Sequence, residues 1–109
     1  MAEQIPTPEF SAEELALIDK LRNKGPEDPE TRALLSVWFD REVELTNAAN
    51  TGRANAEFTL KRAKLYYAAG FIDEAWENLE DLRRQATQED ALDLLQAAQD
   101  LMDQIDNES

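Results

Sequence analysis

Apolar residues recur three and four positions apart along most of this chain, and no window alternates apolar and polar residues as a half-buried strand would. The spacing predicts five helices, at about 12–23, 29–49, 54–69, 73–86 and 88–106. Leu15, Leu17, Ile18 and Leu21 give the first its apolar face. The second carries "LLSVWF" at 34–39, apolar almost all round, which predicts a central position flanked by other helices. The last has Ala91, Leu94, Leu95, Ala98, Leu101, Met102 and Ile105 on one stripe, the cleanest amphipathic pattern of the five.

Punctuation supports these bounds. Ser11 with Glu14 three residues later makes a capping box, in which each side chain satisfies a free amide of the first turn. "NKGP" ends that helix. Asp28 before Pro29 starts the next, because proline at the first helical position gives up only an amide that had no partner. Asn50, Thr51 and Gly52 predict a stop, although a helix continuing through Gly52 costs only ~1 kcal/mol relative to alanine. Thr87 with Asp90 predicts a second capping box, opening the fifth helix. Residues 1–10, with Pro6 and Pro8, are expected to form an extended, mobile lead-in to a single domain over 11–106.

The stretch "LYYAAGFIDEAW" at 65–76 predicts an αα-hairpin. Gly70 suits a left-handed helix end, and so short a connection makes the flanking helices antiparallel neighbours. Alanines at 63, 68, 69 and 75 permit close backbone approach, while Tyr66, Tyr67, Phe71 and Trp76 fill the margins of the crossing. With Ala63, Tyr66, Gly70, Ala75, Leu79 and Leu82 at these spacings, and "DEA" at 73–75, the segment 56–87 resembles a single tetratricopeptide repeat. Thr59 and Arg62 stand where that family carries an aromatic residue and a leucine, Thr87 replaces its terminal proline, and no second copy is present. The resemblance implies a hairpin that presents a concave face to a peptide, with Lys64 on that face, and a fifth helix acting as a cap.

Composition narrows the function. With no cysteine and no histidine, thiolate and imidazole chemistry is excluded, and with it Ser-His and Cys-His catalysis, thiolate- or imidazole-ligated zinc and haem ligation. No cofactor is expected. Asp and Glu number 24 against 11 Lys and Arg, a formal net charge of −13 that opposes binding to nucleic acid or anionic membranes and favours neutral or basic partners. No apolar run approaches the ~20 residues of a membrane span and the amino terminus lacks a signal-peptide pattern, so a cytoplasmic protein is expected.

Three constellations are candidate sites. Arg53, Lys61, Arg62 and Lys64 gather basic charge in an acidic chain, and Lys61 and Lys64, three apart, share a helix face able to meet a carboxylate, unless they pair with the chain's own acids. Tyr67 is the aromatic residue expected beside Lys64 on the binding side, the other large rings being expected in the core. The carboxylates Asp93, Asp100 and Asp103 project from a terminal helix without a basic residue, and form either a solvated face or a row that imitates a nucleic-acid backbone. Glu42 with Glu44, or Asp40 with Glu44, could serve acid–base chemistry, but no phosphate loop or nucleophile elbow accompanies them and an enzyme is not expected.

The expected architecture is therefore an all-α five-helix bundle with a central hairpin and a C-terminal amphipathic helix. The expected function is a non-catalytic protein–protein interaction module, adaptor or chaperone-like, that binds a peptide or helix on its helix 2 and helix 3 side through Lys61, Lys64, Tyr67 and Arg53. The alternative is a small acidic inhibitor, of the phage or mobile-element kind, acting through Asp93, Asp100 and Asp103. "LLSVWF" also raises a homodimer.

Overall fold

The first three helices of this protein start at side chains that satisfy their first free amides. In the computed structural model, which describes residues 10–108, α1 spans Ala12–Lys24, with Ser11 Oγ accepting from the Glu14 amide at 3.1 Å and Glu14 Oε1 accepting from the Ser11 amide at 2.9 Å. The second oxygen of Glu14 accepts from Trp38 Nε1 at 2.8 Å, so the cap of α1 also anchors a buried indole of the next helix. Helix α2, Pro29–Ala49, starts at Asp28, whose carboxylate accepts from the Thr31 amide at 3.0 Å. It stops at Asn50, in the left-handed region at φ 54°.

Helix α3, Gly52–Ala69, begins two residues before its expected start. Thr51 Oγ1 caps it by accepting from the Ala54 amide at 3.0 Å, so Gly52 lies in its first turn and not in the stop. At the far end Gly70, with φ 91°, sends the chain back. Its amide donates to the Tyr67 carbonyl at 3.0 Å and the Phe71 amide to the Tyr66 carbonyl at 2.8 Å, the two bonds of a Schellman motif, and the rings of Tyr66 and Phe71 meet across it at 6.4 Å. The chain doubles back at this glycine as expected.

Helix α4, Ile72–Gln88, overruns its expected end, and α5, Leu92–Glu108, starts four residues late. Thr87 and Asp90 do not form a capping box. Thr87 Oγ1 donates back to the Arg83 carbonyl at 2.7 Å inside α4, and Asp90 takes the left-handed conformation at φ 57°. The Ala91 amide reaches the Ala86 carbonyl at 2.9 Å and the Asp90 amide the Thr87 carbonyl at 3.2 Å, so a second Schellman motif forms with an aspartate in the glycine role.

The molecule is an all-α five-helix bundle, and its hub is α3, which contacts each of the other four helices. The expectation of a central α2 is corrected. Helix α2 buries Trp38 and, more partially, Leu35, Phe39 and Val43, while Val37 and Leu45 are 57% and 59% exposed. Helix α3 holds the centre because Ala56, Thr59, Ala63 and Ala69 are small and admit neighbours closely. Two cores result. Ala56 and Ala63 join Leu79, Leu82, Ala98 and Met102 of α4 and α5, whereas Phe58, Leu65 and Ala69 join Leu17, Leu21 and Trp38 of α1 and α2. The expected lead-in lies outside the described residues except for Phe10, which packs on the second core.

Candidate functional site

Because α3 feeds both cores, the outer helices do not close over it, and a groove of about 420 Å³ runs between α3 and α5. Lys64, Tyr67 and Ala68 form one wall, and Ala97, Leu101 and Gln104 the other. Phe10 closes one part of the rim and Asp100 another. Ala97, Leu101 and Gln104 recur at helical spacing along one flank of the α5 stripe, and the alanine leaves the room that the groove occupies.

Tyr67 is tied to α5. Its hydroxyl donates to Glu108 Oε1 and accepts from Gln104 Nε2 at 3.1 Å, and the Glu108 carboxylate holds the phenol above its usual pKa range. The ring therefore forms a fixed side of the groove.

The structure separates the two lysines expected on one face. Lys64 lines the groove beside α5, whereas Lys61 turns to α2 and pairs with the nearly buried Glu42 at 2.9 Å. Lys64 and Tyr67, expected on the helix 2 and helix 3 side, lie toward α5 instead. Arg53 is also outside the groove. It pairs with Glu57 at 3.1 Å and with both oxygens of Asp93, one at 3.0 Å, which raises its own pKa and depresses that of Asp93 through the same hydrogen bonds.

The three candidate aspartates of α5 are likewise distributed. Asp93 is held by Arg53, Asp100 accepts from Gln96 at 2.7 Å on the groove rim, and Asp103 accepts from Gln99 at 3.0 Å. The Glu42 considered with Glu44 for acid–base chemistry is engaged by Lys61. Among the described residues no group of three His, Cys, Asp or Glu side chains is placed to hold a metal ion, and no helix is long and apolar enough to cross a membrane.

The sequence pointed to Lys64 and Tyr67 but missed Phe10, Ala68, Ala97, Leu101 and Gln104. Their signal was the flank of the α5 stripe, legible once α5 is known to pack beside α3. No protein-family model, no curated protein and no solved structure matches the chain.

Proposed function

We propose that the protein is a non-catalytic protein–protein interaction module, built on a tetratricopeptide-like hairpin, that seats a short amphipathic segment of a partner in the α3–α5 groove. The observation that carries this reading is the groove itself: an apolar floor of Ala68, Ala97 and Leu101 between polar rims, one wall being a helix with carboxylates and no basic residue. Apolar side chains of the segment fill the floor, and its basic residues meet Asp100 and the carboxylates beyond it. A net charge of −13 steers such a partner inward.

The test is capture by three forms of the protein that share one helical circular-dichroism spectrum: the native chain, Lys64→Glu with Tyr67→Ala, and the groove-filling Ala97→Trp. A partner held by the native chain and lost by both variants supports the reading. Undiminished capture by both removes α3 and α5 from the interface. Capture that depends instead on Asp93, Asp100 and Asp103 together, and collapses steeply with salt, assigns recognition to the acidic face as a nucleic-acid mimic.

A further inference from the structure

A second opening lies on the opposite side of α3, between α2 and α4, and its chemistry differs from that of the groove. It encloses about 500 Å³, within the range of small-molecule sites. Phe39 and Val43 of α2 and Phe58 of α3 supply an apolar wall. Arg62 of α3 lies over the two rings, and Gln85 of α4 and, one turn on, Glu89 at the C-cap of that helix complete the lining.

Arg62 is held unusually. Its guanidinium carbon lies 4.9 Å from the centroid of Phe58 and 5.6 Å from that of Phe39, and among the described residues its only hydrogen bond is a long one of 3.5 Å to Thr59 Oγ1 and it forms no ion pair. Its Nε is shielded from solvent without an acceptor, and Gln85 Oε1 is shielded without a donor. Buried polar atoms are normally paired, so Arg62 and Gln85, two residues that line one cleft and each keep a polar atom unpaired, describe the complement they lack. That complement has an oxyanion for Arg62 and an N–H donor for Gln85. Glu89, beside Gln85, selects a positively charged donor over a neutral one. An apolar body must occupy the wall of Phe39, Val43 and Phe58.

We propose that this cleft binds a free α-amino acid with an apolar side chain, its carboxylate on Arg62, its ammonium group toward Gln85 and Glu89, and its side chain against the two phenylalanines. A zwitterion carries no net charge and is not repelled by the acidic chain as an anion would be. The inference is independent of the groove reading, because none of these residues lines the groove.

The test is an NMR titration of the native protein with L-leucine and L-phenylalanine, and separately with 4-methylpentanoate, which lacks the ammonium group, and leucinamide, which lacks the carboxylate. Saturable shifts at Phe39, Phe58 and the Gln85 side-chain amide are expected with the amino acids, with each truncated analogue at least about tenfold weaker. Arg62→Met, which keeps the cover over the rings, is expected to abolish binding, and Gln85→Leu to weaken it. No saturable shift up to about 10 mM ligand, equal affinity for leucinamide, or undiminished binding by Arg62→Met overturns the proposal. If Arg62→Met does not fold, Gln85→Leu and the analogue series decide the question.

Discussion

Single residues carry three separable kinds of constraint here. Gly70 is a backbone constraint: a Cβ would meet nothing within 4 Å, so Gly70→Ala should cost only the left-handed strain, ~1–2 kcal/mol in urea unfolding. Gly52 has ordinary dihedrals and a Cβ there displaces only the flexible carboxylate of Glu89, so Gly52→Ala should change stability by less than ~0.5 kcal/mol. Glu14 is a hydrogen-bonding constraint. Removing it leaves the buried indole of Trp38 without an acceptor, and Glu14→Ala should cost ~1–3 kcal/mol and alter tryptophan fluorescence. Asp28 and Asp93 are electrostatic constraints, with folded-state pKa values held below the ordinary 3.8, by the Thr31 amide and by Arg53 respectively. Below pH 3.8 the unfolded chain then binds more protons than the folded one, so their contribution is complete above that pH and lost as pH falls through the depressed values. Thermal unfolding from pH 5 to 2 should show this loss, and Asp93→Asn should flatten it.

At the scale of elements, the sequence was most legible where a single residue type carries the geometry. Ser11 with Glu14, Asp28 before Pro29, and Gly70 each specify a local conformation by their own chemistry, and α1, α2 and the hairpin turn follow them. The start of α5 misled because Thr87 and Asp90 have the spacing of a capping box, while the same aspartate tolerates the left-handed region and ends α4 instead. Centrality misled for a different reason. It follows from how closely neighbours approach, not from how apolar a helix is, and the small residues of α3 weigh little on any hydropathy scale. Overpacking tests this directly: Ala63→Leu, at a fully buried position in the core shared with α4, should destabilise by ~1–3 kcal/mol, whereas Val37→Thr on exposed α2 should fall within ~0.5 kcal/mol. The candidate site was half legible. Lys64 and Tyr67 lie on α3 itself, but the opposing wall depends on where α5 packs, which no local pattern encodes.

At the scale of the whole molecule, one helix serving two cores explains both openings. Helix α2 and α4 do not meet across α3, which leaves the cleft at Arg62, and α5 reaches α3 at Tyr67, through Gln104 and Glu108, without closing over Lys64 and Ala68, which leaves the groove. The exposed Leu34, Val37 and Leu45 of α2 offer a surface for a second copy, but two chains each carrying −13 repel. Sedimentation equilibrium should therefore return a monomer at low salt, with any self-association appearing only as salt screens the charge. A dimer at low salt would mean that this apolar stripe outweighs the repulsion. The claim on which the functional account turns is that recognition occurs between α3 and α5, and hydrogen–deuterium exchange of the chain with and without its captured partner tests it most directly. Slowed exchange within 64–68 and 97–104 is the predicted result; protection confined to α2 and α4, leaving those two segments unchanged, would contradict it.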